Sequence, residues 1–178
     1  MTTEIRLLEQ ADDRKSFRSG DFDLDTFLQK YAWQNQFRHH IGNTYVAVAR
    51  SKILGFMTVA PCSIEMDRLP ADLKRKLPKY PIPVLRVARL AISEHAQAQG
   101  IGKQLMRAAF AMAIELREKL GCAGVVVDAK RDAETFYTNL GFDPLEVIEG
   151  QLQEKPMPRP MFLAIREVEA AIKAVPTR

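Results

Sequence analysis

The chain has 178 residues, and 26 Lys and Arg outnumber 22 Asp and Glu, giving a formal net charge of +4. Apolar residues make up 47% and charged residues 27%, which is ordinary for a folded protein and excludes global disorder. No apolar run approaches the ~20 residues of a membrane span, and no apolar signal core is present, so we expect a cytoplasmic protein without membrane contact. We expect one domain over residues 1–178, with Cys62 and Cys122 as buried free thiols and no metal site.

The first half of the chain predicts a short strand, a helix and a hairpin. Apolar residues recur at helical spacing after Asp23, a suitable N-cap, until Gly42-Asn43 breaks the pattern. Two apolar runs flank the tight Ser51-Lys52 turn and predict antiparallel strands. The predicted elements are a strand at 4–8, a helix at 24–37, strands at 44–50 and 53–65, a helix at 69–77 closed by Pro78, and a buried strand at 84–93.

The second half of the chain alternates helices and strands. The clearest helix covers 101–120 and stops at Gly121. Its apolar stripe consists of Ile101, Leu105, Ala108, Met112 and Leu116. There follow a strand at 123–129, a helix capped by Asp132 and ended by Gly141, a Pro-containing loop at Lys155–Pro160, a strand at 161–165 and a C-terminal helix. This alternation implies right-handed crossovers and an α/β fold.

A polar loop between the strand at 84–93 and the helix at 101–120 carries the strongest functional signal. Gly100 and Gly102 let the backbone approach a ligand closely, and the first-turn amides with the helix dipole favour an anion. Lys103 and Arg107 lie one turn apart and can reach flanking phosphates. The pattern predicts a diphosphate site, against the alternative of an ordinary glycine-containing turn. It matches neither a P-loop nor a three-glycine dinucleotide fingerprint.

The order Gln97-x-x-Gly100-x-Gly102 resembles the acetyl-CoA loop of the GNAT acetyltransferase superfamily. Arg-Leu-Ala-Ile at 89–92 is similar to the central strand of that family, and Ala133-x-x-Phe-Tyr-x-x-x-Gly-Phe142 resembles its later acyl-CoA motif. The resemblance implies a central mixed sheet flanked by helices. It also implies that Leu90, Ala91 and Ile92 pair with the pantetheine arm of acetyl-CoA. The residues that would hold the pyrophosphate are Gln97, Gln99, Gly100, Ile101, Gly102, Lys103 and Gln104.

Further segments resemble the GNAT toxins of bacterial toxin–antitoxin pairs. These segments are Phe17-Arg-Ser-Gly20, Leu24-Asp-x-Phe-Leu28, Ala32-x-x-Asn35 and Tyr80-Pro-Ile-Pro-Val-Leu-Arg-Val-Ala-Arg-Leu-Ala91. Such enzymes acetylate the α-amine of aminoacyl-tRNA and stop translation. The resemblance therefore implies aminoacyl-tRNA as substrate, a ribbon-helix-helix antitoxin as partner, and a homodimer. Ser93 departs from the pattern, because an acidic residue more often ends this strand.

Tyr137 matches the tyrosine that the family places near the thioester sulfur as general acid, while Phe136 suits a core position better. The phenol pKa is about 10 and a thiol's about 8.5, so we expect concerted donation or a hydrogen bond to the developing thiolate. Among candidate bases, Glu65 suits a solvated strand end, and the three histidines fall in polar loops. A site without a dedicated base suits an α-amine, whose pKa of about 7.7–8 leaves an appreciable fraction uncharged.

A basic run without acidic residues extends from Leu73 to Ser93. Its charged members are Lys74, Arg75, Lys76, Lys79, Arg86 and Arg89. The run is typical of a surface that meets a polyanion, and we expect Arg86 and Arg89 nearest the reacting amine, with Lys74, Arg75 and Lys76 farther away. A solvated face remains the alternative. The alternatives for the whole chain are a GNAT enzyme for a peptide N-terminus or a small amine, and a non-catalytic CoA-binding or partner-binding module.

Overall fold

The computed structural model describes residues 2–145 and 157–174. The strands are β1 (Glu4–Leu7), β2 (Asn43–Ala49), β3 (Lys52–Ile64), β4 (Ile82–Ile92), β5 (Gly124–Ala129), β6 (Asp143–Pro144) and β7 (Arg159–Ala164). The helices are α1 (Phe22–Thr26), α2 (Ala32–Gln34), α3 (Ala71–Lys74), α4 (Ile101–Lys119), α5 (Glu134–Asn139) and α6 (Ile165–Ala174). The strands form a mixed sheet in the order β1-β2-β3-β4-β5-β7-β6, which confirms the predicted fold class.

The described residues pack as two compact units. The first unit contains residues 2–60 and 87–109, and the second contains 61–86, 110–145 and 157–174. Because β3, β4 and α4 each contribute residues to both units, the chain passes between the units inside regular elements. The single domain over residues 1–178 stays a prediction. Within the described ranges, no helix is long and apolar enough to cross a membrane.

In the first unit, β1, β2 and β3 pair antiparallel, with Ile5 of β1 opposite Ala47 of β2. A two-residue loop of Arg50 and Ser51 joins β2 to β3, and both residues have positive φ angles, 48° and 60°. This conformation suits a tight hairpin because it matches the twist of the strands. The predicted Ser51-Lys52 turn is therefore wrong by one residue, since Lys52 already pairs with Ala49.

The predicted helix at 24–37 is a longer helical segment of mixed type. It starts with α1 and continues through a π-helical turn (Phe27–Tyr31), α2 and a second π-helical turn (Asn35–His39). Its N-cap is Asp21 and not Asp23, because the Asp21 carboxylate accepts the backbone amides of Asp23 and Leu24. Such wide turns accommodate one extra residue each, which helical spacing in the sequence does not reveal.

Aromatic rings and a buried glutamine stabilise the first unit. The Phe56 ring packs against Phe17 and Phe27, with centroid separations of 5.5 and 6.2 Å. The side-chain amide of Gln36 donates to the Leu8 carbonyl at 3.0 Å, and its oxygen accepts the Thr44 amide at 2.8 Å. These bonds tie the second π-helical turn to the chain on either side of it, since each polar group of this buried side chain finds a backbone partner.

In the second unit, β5 and β6 both pair antiparallel with β7, and α6 follows β7 directly. A Cβ added to Gly124 of β5 would overlap the Leu163 carbonyl oxygen, so only glycine allows these strands to approach this closely. The apolar core of this unit consists of Ile64, Leu69, Ile82, Val84, Val126, Leu145, Phe162 and Ala164.

Several second-unit predictions are wrong in detail. Asp132 does not cap α5, because it lies in a 3-10 turn (Arg131–Ala133) and Ala133 occupies the cap position. The predicted helix at 69–77 shrinks to α3, and β6 was not predicted because two residues carry no periodicity. Both cysteines are free, but only Cys122 is buried; Cys62 is half-buried. The predicted loop at Lys155–Pro160 lies partly outside the described residues.

Candidate active site

A tight loop connects β4 to α4. β4 ends at Ile92, a 3-10 turn covers Glu94–Ala96, and α4 begins at Ile101. Ala98 and Gly100 have positive φ angles, of 60° and 81°, a conformation that turns the chain sharply and that glycine adopts most readily. A Cβ built on Gly100 meets no heavy atom within 4 Å, so the outer side of the loop is open. The conformation expected of Gly100 is therefore present.

Two glutamine side chains hold the loop in this shape. The Gln97 side-chain amide donates to the carbonyl oxygens of Ser19, at 3.0 Å, and Ile92, at 3.3 Å. The Gln99 side-chain amide donates to the His95 carbonyl at 2.7 Å. Both amide groups are engaged within the protein, which gives these residues a part in shaping the loop beyond the ligand contact that the sequence predicts.

The first turn of α4 offers backbone amides to a ligand. The first amide bonded inside the helix is that of Gln104, which donates to the Gly100 carbonyl at 3.1 Å. The amides of Ile101, Gly102 and Lys103 precede it and have no carbonyl partner within the helix, so together with the helix dipole they favour an anion. Gln104 was predicted to contribute its amide too, but that amide is already used. Three consecutive amides and an open loop are a suitable donor set for a diphosphate.

The end of β4 packs closely against β3. Of the three residues predicted to pair with the pantetheine arm, Ala91 is buried, while Leu90 and Ile92 are half-buried. A Cβ added to Gly55 of β3 would lie 2.8 Å from Cδ1 of Ile92 and 3.1 Å from the Ala91 carbonyl oxygen. Gly55 therefore holds the position of β4 before the loop. Sequence reasoning missed this residue, although a glycine inside an apolar strand is itself a signal of close backbone approach.

Tyr137, on α5, is only 4% exposed. Its ring packs edge-to-face against Phe136 and Phe142, with centroid separations of 5.1 and 5.7 Å. Its hydroxyl makes no hydrogen bond to any residue in the described part of the chain. Burial raises the pKa of the phenol, and the charge of Asp128 raises it further, so the neutral, proton-bearing form persists at physiological pH.

The expectation that Phe136 is the core member of this aromatic pair is wrong. Phe136 is half-buried, whereas Tyr137 is buried because it also contacts Phe142. The burial of Tyr137 is compatible with a proton donor, since a buried neutral phenol keeps its proton. The role of Tyr137 as general acid stays a prediction.

Arg86 of β4 and Asp128 of β5 form an ion pair in the same unit as this tyrosine. Both the Nε and NH2 groups of Arg86 bind the same carboxylate oxygen, Oδ2, at 2.7 and 2.6 Å. The other oxygen of Asp128, Oδ1, has no partner in the described ranges, and the side chain is 17% exposed. Burial opposes the charge of Arg86, but the ion pair outweighs it and raises the pKa of the guanidinium. Sequence reasoning missed Asp128, whose signal was an acid inside the apolar run of β5.

The basic run separates into paired and solvent-facing members. Arg86 is paired with Asp128, and the guanidinium of Arg89 lies over the Phe27 ring, 3.9 Å from its centroid. Arg75 and Lys76, after α3, are exposed, and Lys74 is half-buried. Two of the three charged residues that we expected to lie farther from the reacting amine, Arg75 and Lys76, are therefore exposed to solvent. Their contact with a polyanion stays a prediction.

The remaining candidate acid–base residues face solvent. Glu65 and all three histidines, at positions 39, 40 and 95, are exposed. Exposure at all four positions does not suit the base of a buried site. Residues 2–145 and 157–174 contain no group of three or more His, Cys, Asp or Glu side chains arranged to hold a metal ion.

The loop before α4 and the motif around Tyr137 both fall inside one family match. The family model for the acetyltransferase (GNAT) domain matches residues 40–144. The chain belongs to the GNAT acetyltransferase family, which confirms the resemblance drawn from the loop and makes the protein an N-acetyltransferase by class, with acetyl-CoA as its acetyl donor.

Comparison with individual proteins shows which members of the GNAT family this chain is similar to. The chain is 31% identical over 151 residues to the tRNA-acetylating toxin of Mycobacterium tuberculosis (strain ATCC 25618 / H37Rv), a match covering 80% of this chain and 89% of the toxin. It is similar to AtaT complexed with acetyl-methionyl-tRNAfMet, at 28% identity and a TM-score of 0.81, over 95% of this chain and 98% of that one. It is also similar to AtaTR bound with AcCoA, at 28% identity and a TM-score of 0.77, over 94% and 96% of the two chains.

Proposed function

We propose that this protein transfers the acetyl group of acetyl-CoA to the α-amine of aminoacyl-tRNA and thereby blocks translation. The observation that carries the proposal is the 31% identity, over 80% of the chain, to a tRNA-acetylating toxin. The exposed charges after α3 support a polyanionic substrate, because Lys and Arg side chains there can displace counterions from phosphates.

The loop before α4 is the part of the chain that would hold the donor. The amides of Ile101, Gly102 and Lys103 would bind its pyrophosphate, and the open side of Gly100 leaves room for the approach. The edge formed by Leu90, Ala91 and Ile92 would pair with the pantetheine arm as an added strand. When bound, acetyl-CoA supplies an acetyl group on a thiol leaving group.

Tyr137 would donate a hydrogen bond or a proton to that leaving group. Its raised pKa keeps the phenol protonated, and its hydroxyl has no competing partner in the described ranges. The thiolate that leaves has a conjugate-acid pKa of about 8.5, below that of this phenol, and the thioester sulfur is less basic still, so complete proton transfer before the C–S bond breaks is strongly unfavourable. Donation concerted with bond cleavage avoids that cost.

The substrate amine needs little help to lose its proton. An α-amine with a pKa of about 7.7–8 is uncharged at pH 7 in roughly one molecule in six to one in eleven, whereas a lysine amine is uncharged in only about one in 2,500. An ester at the neighbouring carbon withdraws electrons and lowers the amine pKa further. The exposure of Glu65 and the histidines is consistent with this class of substrate.

We further propose a ribbon-helix-helix antitoxin and a second copy of this chain as partners, and the cytoplasm as the compartment. The cytoplasm is where charged tRNA is available. The single domain over residues 1–178 belongs to the same proposal.

The test is acetylation of total charged tRNA with labelled acetyl-CoA, followed by identification of the acetylated aminoacyl species. We expect label on the α-amine of one or a few aminoacyl groups, none on deacylated tRNA, and little with Tyr137→Phe. Label on peptides or polyamines with none on charged tRNA would replace the proposal by a GNAT enzyme for another amine.

A further inference from the structure

The ion pair between Arg86 and Asp128 uses only one of the two carboxylate oxygens of Asp128. Both guanidinium contacts converge on Oδ2, at 2.7 and 2.6 Å, although an arginine and a carboxylate frequently pair through both oxygens. Oδ1 is left without a donor in the described ranges, on a side chain that is 17% exposed.

The same unit contains the one tyrosine whose hydroxyl is predicted to serve the leaving group. Asp128 lies on β5 and Tyr137 on α5, the next α-helix along the chain, and the Tyr137 hydroxyl also lacks a partner in the described residues. The two groups lie near enough for the charge of Asp128 to act on the Tyr137 phenol. A neutral donor and a charged acceptor oxygen, neither of them bonded to another described side chain, are what the two ends of an acyl transfer to an amine require. The leaving sulfur needs a proton, and the attacking nitrogen must lose one.

We propose that Oδ1 of Asp128 is the amine-binding group of this protein: it accepts a hydrogen bond from the α-amino nitrogen of the substrate, while Arg86 fixes the carboxylate through Oδ2. This rests on the proposed function, of which it assigns the amine subsite. Arg86 is then a positioning residue, because its guanidinium orients the Asp128 carboxylate instead of binding a tRNA phosphate.

The assignment balances the reaction. The nitrogen lone pair forms the C–N bond to the acetyl carbon, the C–S bond breaks, and the sulfur takes one proton through the Tyr137 hydroxyl. The nitrogen becomes positively charged as its bond forms and then gives up one proton, for which Asp128 is the carboxylate acceptor. A carboxylate stabilises that developing charge more than it stabilises the neutral amine, so its effect is largest in the transition state.

The experiment compares two tRNA ligands that differ only at the amine. One is aminoacyl-tRNA, and the other is the same tRNA carrying the corresponding des-amino acyl group, in which a hydrogen atom replaces the α-amino group. Binding is measured in the presence of CoA, so that no acetyl group is transferred. We expect the wild-type protein to prefer aminoacyl-tRNA about tenfold, within the range for hydrogen bonds to charged groups. We expect Asp128→Asn to bind both ligands equally.

A matched control is available in the same unit. Glu134 and Arg159 form another carboxylate–arginine pair, at 3.5 Å, and Glu134→Gln makes the same chemical change as Asp128→Asn. We expect Glu134→Gln to keep the tenfold preference. If Asp128→Asn fails to fold because Arg86 loses its partner, the double variant Asp128→Asn with Arg86→Met removes both charges. Any weaker tRNA binding that follows affects both ligands and cancels in the ratio.

The outcomes separate the two proposals. An unchanged preference in folded Asp128→Asn, or no preference in the wild type, overturns the amine subsite. Wild-type protein that acetylates no charged tRNA overturns the proposed function itself. A wild type that acetylates charged tRNA while Asp128→Asn turns over at the same rate leaves the function standing and removes Asp128 from it.

Discussion

The loop before α4 and the group around Tyr137 differ in how they would contribute to the proposed reaction. The loop would act through its backbone: its amides come from consecutive residues, and Gly100 adopts a φ of 81° that the local sequence permits. The other region would act through side chains, and Arg86, Asp128 and Tyr137 come from three separate elements, β4, β5 and α5. A site built from backbone amides can therefore be recognised in a short stretch of sequence. A site built from side chains of several elements can be recognised only once the fold has brought those elements together.

The largest effect that this comparison predicts follows from removing one side-chain oxygen. Tyr137→Phe keeps the ring contacts with Phe136 and Phe142 and deletes the proton donor. We expect kcat to fall about 10²-fold, with acetyl-CoA affinity and thermal stability preserved because the hydroxyl has no partner in the described residues. Steady-state kinetics and calorimetry measure the two quantities. Tyr80→Phe, at a position 63% exposed, is the control, and wild-type turnover in Tyr137→Phe would return that residue to packing alone.

A side chain that blocks the backbone amides of the loop is expected to weaken acetyl-CoA binding. Gly102→Val places a β-branched side chain among the first-turn amides of α4, and we expect acetyl-CoA affinity to fall roughly tenfold or more, equivalent to at least about 1.4 kcal/mol. Isothermal titration calorimetry on the folded variant measures the change in affinity. An unchanged dissociation constant would exclude the loop from the donor site.

Substituting two glycines of similar conformation, one in the loop and one outside it, distinguishes an effect on acetyl-CoA binding from an effect of backbone strain on stability. Gly100 and Gly121 both have positive φ, 81° and 94°, and a Cβ on either meets nothing within 4 Å. Replacing either with Ala is expected to cost about 1–2 kcal/mol of unfolding free energy through the left-handed backbone alone. Only Gly100→Ala should also weaken acetyl-CoA binding; equal affinities in the two variants would contradict the assignment of the loop.

A smaller effect is expected from the solvent-facing charges, which act at long range. Replacing Lys74, Arg75 and Lys76 by Ala should raise KM for charged tRNA and flatten the salt dependence by about 0.7–0.9 in log K against log[salt] for each phosphate that is no longer neutralised. Turnover and small-amine acetylation should hardly change. The control replaces three exposed lysines elsewhere, Lys15, Lys52 and Lys119, with the same change in net charge. Identical salt slopes in both triple variants would mean that the run is a solvated face.

The smallest effect concerns alkaline stability. Because burial raises the pKa of Tyr137 above its unfolded value of about 10, the folded state retains a proton that the unfolded state loses above that pH. The stabilisation from the neutral phenol is complete below about pH 10 and declines above it, by at most about 1.4 kcal/mol per pH unit. The free energy of unfolding in denaturant should therefore fall more steeply between about pH 9 and about pH 11 for the wild type than for Tyr137→Phe. Parallel curves would show that the phenol ionises as in water.

Local signals predicted much of the fold correctly. The strand at 84–93 and the helix at 101–120 are β4 and α4 within two residues at each end, because both have long, unambiguous apolar patterns. The errors concern which residue caps a helix. The N-cap of α1 is Asp21 instead of Asp23, and the N-cap position of α5 is held by Ala133 instead of Asp132. Neighbouring residues of similar type differ little in sequence terms, and only the folded backbone selects one of them.

By itself, the sequence determined the family, the α/β fold and the glycine loop, since each depends on residues close together in the chain. Only the tertiary structure decided that Arg86 is paired with Asp128 and that Tyr137 rather than Phe136 is the buried ring. It also revealed Gly55, whose missing side chain lets β3 lie against the end of β4. The physical reason is the same throughout: charge pairing, burial and close backbone approach depend on contacts between residues that are distant in the chain, and sequence spacing does not report those distances.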